Sequence, residues 1–430
     1  MPPKVEAIIS QNLKNHKITP KSKIVVAVSG GIDSMCLLHI LVNSGFQPIV
    51  CHIEHGIRGK TSKKDANFIE DYCQKNNLIF EIKELNLKKI ASQKSFETTG
   101  RELRYKFFEE IADKHHPKKI LLAHHLNDSL ETFLINFTRG TGLKGLLGIP
   151  SNRNIYLRPM NNLTKQEIKN YVKDKKIKFR EDKTNKSTKY TRNAIRLNVI
   201  PKLKDINPSL LNSFINTKQI LQEAYDFIAE ESQKWLKKNL ITNKTKAQLP
   251  LKSFKSLNPA LQNQILYDLY QKLENSIISN KLIKDVIELI NNEKTGSKKP
   301  FGKNEIILSN GKINILNKLT KKIKKIETKK LKKIPTNLKS KTYLYIDADK
   351  IEGKLTQRAF KPGDKFKPFG MKGHQKIQDF FINNKIPIFE RNEIPLLLNK
   401  DKIIAIGNMA ISDDFKATNS TKTVIRLSLS

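Results

Sequence analysis

The chain has 430 residues, with 80 Lys and Arg against 41 Asp and Glu, and a formal net charge of +39. That length allows about three domains of ~150 residues each, and that charge calls for a polyanionic partner, nucleic acid first. The three cysteines, Cys36, Cys51 and Cys73, are never spaced as C-x-x-C, which argues against a disulfide framework and suits a reducing cytoplasm. No run of ~20 apolar residues occurs, so no membrane span is expected, and residues 1–17 lack the apolar core of a signal peptide. Lys, Asn and Ile are abundant throughout, so the charge supports a nucleic-acid reading without carrying it alone.

In chain order, residues 23–28 (KIVVAV) predict a strand and 35–42 (MCLLHILV) a helix, with Ser29-Gly30-Gly31-Ile32-Asp33-Ser34 as the turn between them. Two glycines let the backbone bend without a Cβ clash. The turn aims free N–H groups and the positive end of the following helix at one spot. Phosphate is the expected occupant. Ser29 and Ser34 add hydroxyls, and Asp33 adds a carboxylate suited to hold Mg²⁺ against phosphates. The Walker pattern is not met: Glu54 stands where the first glycine before Gly59-Lys60-Thr61 belongs, and Lys63, Lys64 and Asp65 follow.

Further strands are predicted at 47–53, 78–82 and 120–123, alternating with helices at 62–75, 99–114 and 128–138. This alternation predicts an α/β fold with a doubly wound parallel sheet. Ligands of such sheets sit beyond the carboxyl ends of the strands. His52, His124 and His125 fall at such ends, on the same edge as the glycine turn. His55 and Arg58 follow the second strand as phosphate or base contacts rather than zinc ligands, since no Cys pair completes a set. Arg101 and Arg104 open a helix against its dipole, which hints at an anionic partner. Asp128 and Glu131 are three apart and share a helix face near its N-terminus. Either Asn127 or Asp128 is the expected cap, and a carboxylate pair facing the phosphate site is compatible with that. Gly140, Gly142, Gly145 and Gly148 form a glycine-rich loop beside the same edge.

Thr164 and Glu167 make a capping box for a helix to about 176. Residues 180–196 are basic and polar, with Arg192 and Arg196 placed to bind RNA backbone. Pro201 and Pro208 mark a boundary. Helices at 210–240, 259–273 and 282–291, with Leu211, Phe214, Leu221, Ile228 and Trp235 as core candidates, accompany a hairpin at 305–316 that turns on Asn310-Gly311. Residues 317–333 are a lysine run read as solvated linker. Short strands at 344–346, 403–406 and 424–427 and a helix at 377–384 predict a small α+β domain. In it Arg358, Lys361, Lys365, Lys367, Lys372 and Lys376 cluster around turns at Pro362-Gly363 and Gly370, a surface suited to phosphates.

The turn at 29–34 resembles the pyrophosphate loop of the ATP-pyrophosphatases, which split ATP into AMP and pyrophosphate. After it come H-x-x-H-G-x-R from His52, R-E-x-R-Y from Arg101, HH-x-x-D-x-x-ET from His124, RGTG-x-x-G-x-x-G from Arg139, and ED-x-TN then Y-x-RN-x-IR from Glu181. In this order they resemble the tRNA(Ile)-lysidine synthetases. The tail resembles the same family through Arg358, Pro362-Gly363-Asp364, Gly373, Lys376-Ile377-Gln378-Asp379-Phe380-Phe381 and Lys385-Ile386-Pro387. Two positions depart: Asn127 stands where the family usually has Asp, and Ala123 where it usually has Gly. No metal or amine role is therefore carried to position 127.

The resemblance implies an ATP-pyrophosphatase (PP-loop) catalytic domain over 1–203 and a mostly helical middle domain over 204–318. A lysine-rich linker over 319–340 and a small α+β, tRNA-binding C-terminal domain over 341–430 follow. It implies a ligase using ATP and Mg²⁺. ATP adenylates the C2 oxygen of the wobble cytidine in the CAU anticodon of tRNA(Ile), and the ε-amine of free L-lysine then displaces AMP to give lysidine. Codon reading and aminoacylation both move from methionine to isoleucine. By this resemblance Ser29, Gly30, Gly31, Ile32, Asp33 and Ser34 bind ATP, and Asp33 holds Mg²⁺. Asp33, Asp128 and Glu131 are catalytic, the last two binding the lysine ammonium. His55, Arg58, Arg104, Arg192, Arg196, Arg358 and Lys376 meet phosphate or tRNA. A homodimer is compatible with the sequence. Two rivals are a tRNA thiolation enzyme with the same ATP loop, which needs reactive cysteines where these three read as core, and a non-catalytic basic RNA-binding protein, which leaves Asp33 in its phosphate turn unexplained.

Overall fold

The computed structural model describes residues 4–54, 60–85, 96–181, 191–243, 246–276, 278–317, 323–331, 343–418 and 421–429. The chain divides into two compact units, 1–226 and 227–430.

In the first unit, α1 (Lys4–Asn15) precedes β1 (Ile24–Ala27), α2 (Ile32–Asn43), β2 (Ile49–Glu54), α3 (Lys60–Lys75), β3 (Phe80–Glu84), α4 (Phe96–His115), β4 (Lys119–Leu121) and α5 (Leu126–Thr138). A short turn of helix, α6 (Leu143–Leu146), and the strands β5 (Asn152–Arg153) and β6 (Tyr156–Leu157) follow. The sheet order is β3-β2-β1-β4-β6-β5, parallel throughout except for β5 at the edge. This is the doubly wound α/β sheet that the alternation predicts. Strand β1 shows why it is buried on both sides. Ile24 and Val26 join one apolar cluster with Leu37 and Leu41 of α2, while Val25 joins another with Phe107 and Phe108 of α4. Residues two apart share a face, so an unbroken apolar strand requires cover on both.

The chain runs from β1 out to β3, then crosses to β4 on the other side of β1. Strand order therefore reverses at β1. The carboxyl ends of β1 and β4 flank that switch point, where open parallel sheets take their ligands. Cys36, Cys51 and Cys73 are unpaired and buried in these clusters, and burial pushes each thiol up to about 12. A thiol so disfavoured as thiolate is inert core rather than a nucleophile.

Helix α5 starts earlier than expected. Its cap is His125 rather than Asn127 or Asp128: the Asp128 N–H approaches His125 Nδ1 at 3.4 Å, and the Asp128 carboxylate accepts the His125 N–H at 3.0 Å. Asp128 thus occupies the third helical position and returns the bond of a capping box. Helix α7 (Lys165–Asp174) has the box that Thr164 and Glu167 predict. The basic stretch then forms α8 (Thr191–Ala194), a π-helical turn Ile195–Val199, and α9 (Ile200–Ile206). The Ile200 N–H reaches back to Ile195 O, and Pro201, with no N–H to give, follows at once.

The unit boundary falls within α10 (Leu210–Asn239). Phe214 is buried with Leu126 and Ile195, whereas Trp235 and Leu236 pack in the second unit's core; the other core candidates on this helix are only half-buried. In the second unit, α12 (Pro259–Glu274) and α13 (Asn280–Asn291), with the short α11 (Leu251–Lys255), cover a five-stranded antiparallel sheet of β7 (Ile241–Thr242), β8 (Lys246–Pro250), β9 (Lys298–Phe301), β10 (Asn304–Ser309) and β11 (Lys312–Asn317). The β10–β11 hairpin turns on Asn310 and Gly311, both at positive φ (51° and 66°), as its Asn-Gly pair predicts.

Within the lysine run, β12 (Ile326–Leu331) pairs antiparallel with β20 (Val424–Leu429), which also pairs with β13 (Leu344–Asp347). Residues 326–331 of that run thus form an edge strand rather than a linker. Its exposed Lys329 and Lys330 discourage pairing with other chains. A second antiparallel sheet joins β14 (Leu355–Arg358), β17 (Leu396–Asn399), β18 (Lys402–Ile406) and β19 (Ala410–Ile411), and β15 (Lys365–Phe366) pairs with β16 (Gln375–Lys376) beside α14 (Ile377–Asn383).

One glycine fixes α5 against the loop that follows it. Gly148 has φ 68°, and a Cβ there would lie 2.5 Å from Ser129 Oγ and 2.8 Å from Ser129 O. Ser129 is fully buried and its hydroxyl accepts the Ile149 N–H at 3.0 Å. Gly140 has a similar φ of 66° but open space where its Cβ would be. Gly148→Ala should therefore destabilise by more than the ~1–2 kcal/mol of left-handed strain, and Gly140→Ala by about that strain alone. Denaturant unfolding of both variants checks this, and equal losses would contradict it.

Candidate functional site

The site is built at the carboxyl ends of β1 and β4. After β1 the chain turns through Ser29, Gly30 (φ 81°) and Gly31, and α2 begins with no side-chain cap. Ser34 is buried and braces the turn: its Oγ accepts the Ser29 N–H at 3.2 Å and donates to Gly31 O at 3.0 Å. Ser29 stays exposed. The uncapped helix start keeps its N–H groups available to an anion. His52, at the end of β2, donates from Nδ1 to Val28 O at 2.8 Å and so props the strand end beneath the turn. Burial lowers its pKa.

Asp33 faces this turn from the first turn of α2. Its two carboxylate oxygens each lie 2.6 Å from Lys165 Nζ, and both side chains are about 30 % exposed. Lys165 opens α7. The Asn127 side-chain oxygen accepts its backbone N–H at 2.9 Å, and Leu126 N–H bonds Leu163 O at 2.9 Å, so the starts of α5 and α7 are tied together. Position 127 needs only an acceptor for this task, and Asn serves.

The second half of the site lies on α5. Glu131 is 1 % exposed and takes a two-point bond from Arg196, Nε at 2.6 Å and Nη2 at 3.0 Å. Arg192 Nε lies 3.3 Å from the same carboxylate, and Arg192 Nη2 donates to Thr132 Oγ1 at 2.7 Å. Arg196 also reaches Asp128 at 3.4 Å. Burial raises the Glu131 pKa, and Arg196 only partly offsets it. Burial works the same way on Asp128, but His125, His124 and Arg192 outweigh it and hold that carboxyl below its usual range. Arg196 sits in the π-helical turn, a local irregularity that aims its guanidinium at α5.

His125 joins the two halves. It is 4 % exposed, with Nε2 3.7 Å from Asp33 and Nδ1 3.5 Å from Asp128. The acid of the 29–34 turn and the acid of α5 thus stand on either side of one imidazole. His124 stands beside them. Burial pushes its pKa down to about 4, with Arg158, Arg192 and Arg104 adding to the effect against Asp128. Among the described residues nothing partners its buried Nδ1.

The sequence-predicted residues thus fall into three groups. Asp33, Asp128, Glu131 and the 29–34 turn come together. Arg192 and Arg196, expected on RNA, are engaged with the acid pair; Arg104 keeps an exposed side chain whose charge is felt at His124. Arg358 makes a two-point pair with Asp364 at 2.7 and 2.8 Å, bracing the turn at 361–364, and Lys376 is exposed. His55 and Arg58 lie outside the described residues, as do 182–190. Lys165 was missed by sequence reasoning. A lysine as first residue of a helix opposes the dipole, which is the available signal. Arg101 and Arg104, expected to open a helix, instead lie in the second and third turns of α4, which begins at Phe96, so they do not oppose its dipole.

A family profile described as "PP-loop domain" matches residues 1–203, and one described as "TilS substrate C-terminal domain" matches 355–429. The tRNA(Ile)-lysidine synthase of Clostridium acetobutylicum is 34% identical, over 99% of this chain and 99% of its own length. That of Caldanaerobacter subterraneus is 33% identical over 98% and 96%, and that of Bacteroides thetaiotaomicron 30% over 96% and 96%. The chain belongs to the tRNA(Ile)-lysidine synthase family. It is accordingly an ATP-dependent ligase of the PP-loop class. No helix among the described residues is long and apolar enough to cross a membrane.

The buried His124 carries a testable pH signature. His124 titrates at about 4 when folded and near 6.5 when unfolded, so its contribution to stability is present above pH 6.5 and lost as pH falls towards 4. His124→Gln should lose less stability than wild type over that interval, with the two curves parallel above pH 7. Parallel curves down to pH 4 would contradict the depressed value.

Proposed function

We propose that this chain joins free L-lysine to C2 of the wobble cytidine of tRNA(Ile) bearing a CAU anticodon, in two steps at the one site described above. The observation that carries the reading is the position of His125 between Asp33 and Asp128, which brings a phosphate-binding turn and an amine-binding acid pair within the span of one side chain.

In the first step the cytidine C2 oxygen forms a bond to the α-phosphorus of ATP and pyrophosphate leaves. The 29–34 turn and the start of α2 receive the departing phosphates through backbone N–H groups. Mg²⁺ fits here, because it binds through one or two carboxylates plus substrate phosphates. Asp33 would supply that carboxylate, and the ion's charge would offset the charge building on the leaving group. Lys165 meets the same carboxylate and would be free to meet the phosphates were that carboxylate to hold the metal.

In the second step the lysine nitrogen bonds to C2 and AMP leaves with the oxygen. Free lysine has a pKa near ~10.4, so only about one amine in a few thousand is neutral at pH 7. A bare carboxylate pair would raise that pKa further. Here Arg192 and Arg196 already share Asp128 and Glu131, so an ammonium bound beside them meets like charges that favour release of its proton. The proton leaves with the departing AMP, whose phosphate, with a second pKa near ~6, is a stronger base than His124, which burial holds at about 4.

Two sets of variants separate the steps. Asp33→Ala should lose tRNA-dependent pyrophosphate release by at least about 100-fold while melting like wild type. Asp128→Asn and Glu131→Gln should still form adenylated tRNA in the absence of lysine but transfer lysine at least about 10-fold more slowly. Melting curves for the Glu131 variant exclude loss of fold, since its ion pair is buried. Adenylation that collapses as fully as lysine transfer would assign the pair to the first step.

A further inference from the structure

The tail domain exposes two apolar side chains on one tight loop of a lysine-rich hairpin. Phe369 is 62 % and Met371 is 52 % exposed, on either side of Gly370 (φ 82°). Exposed apolar residues at a loop tip carry little meaning when the loop is loose. This loop is held at several points. Met371 N–H bonds Pro368 O at 3.0 Å, Gly370 N–H donates to Asp413 Oδ1 at 2.9 Å, and Asp413 N–H bonds Lys367 O at 2.9 Å. Lys367 Nζ reaches Asp414 at 3.0 Å. The phenyl ring is therefore presented rather than tucked in, and burying it would require breaking these bonds.

The chemistry around the ring selects the partner. Lys416 Nζ lies 5.9 Å from the ring centroid. Lys365, Lys372 and Lys376 are all exposed on the same β15–β16 hairpin and the loop within it. Lys416 is also paired with Asp413 at 3.0 Å, as Lys367 is with Asp414, so the exposed cations of this hairpin are Lys365, Lys372 and Lys376. An exposed aromatic ring on such a basic hairpin suits a partner that is flat and apolar on one surface and anionic along its edge. That describes an unstacked nucleobase on its phosphate backbone. A protein partner would have to be acidic as well as apolar.

We propose that Phe369, with Met371 beside it, is a stacking platform for a nucleobase of the bound tRNA, a contact that is apolar and therefore insensitive to salt. It rests on the reading of the tail as tRNA-binding, and the two are separable. Neighbouring lysines act through phosphates, so their loss flattens the dependence of affinity on salt. Loss of a stacked ring lowers affinity at every salt concentration equally.

The test uses the full chain and an unmodified tRNA(Ile) transcript with a CAU anticodon, with affinity measured across a salt series. Phe369→Ala should bind about 5-fold to about 100-fold more weakly with an unchanged salt slope. Phe369→Trp should keep wild-type affinity and show tRNA-dependent quenching absent from the parent with its single Trp235. Lys365→Ala and Lys372→Ala should each flatten the slope by about 0.7–0.9. If the lysine variants weaken binding and Phe369→Ala does not, the platform is overturned and the tail reading stands. If none weakens binding, both fail. If Phe369→Ala instead abolishes self-association in sedimentation and leaves tRNA affinity alone, the ring belongs to a protein interface and the proposal is overturned.

Discussion

The buried ion pairing of Glu131 with Arg196 is the interaction on which the rest of the site depends. A carboxylate that is 1 % exposed is costly to ionise unless cations meet it with good geometry. Arg196 supplies two bonds and Arg192 a third approach. Both arginines come from a stretch some sixty residues downstream of α5, so the basic segment after α7 must fold back over α5 before the acids can be charged. The π-helical turn at Ile195–Val199 is where that segment adapts. Asp33, on the first turn of α2 and about 30 % exposed, is met by Lys165 at the start of α7, and Asn127 ties that start to α5.

This pairing changes how the chemistry is understood. Two acids alone would bind a lysine ammonium well and hold its proton tightly. On the function proposed above, two acids already shared with two arginines would bind it less tightly and let the proton go more readily. Such a site would trade ground-state affinity for reactivity, in keeping with binding energy being most useful where the transition state gains more than the ground state.

Much of this was legible in the sequence because it is local. Strand β1, the glycine turn and α2 follow from a few consecutive residues, and the apolar run on β1 required cover on both faces. The spacing of Asp128 and Glu131 placed them on one helix face. The Thr164 to Glu167 capping box and the Asn310-Gly311 hairpin formed as their residues demand. What local pattern does not encode is which distant cation meets which acid. Lys165 is separated from Asp33 by 132 positions, and Arg196 read equally well as an RNA contact. His125 as cap was hidden for a related reason: Asp128 completes the box from the third helical position, and histidine is an uncommon partner for it. In the tail, Arg358 read as a phosphate contact because its partner Asp364 lies in a turn whose geometry the sequence does not show.

The central claim is that one composite site, on the carboxyl edge of the parallel sheet, activates a cytidine with ATP and then delivers lysine to it. The most direct measurement is lysine incorporation by the purified chain, with ATP, labelled L-lysine and an unmodified tRNA(Ile) transcript. The account predicts label in the CAU transcript at one lysine per tRNA, with one AMP and one pyrophosphate released for each, and none in a transcript whose wobble cytidine is replaced by uridine. ATP cleavage without label in the tRNA, or equal labelling of both transcripts, would contradict it.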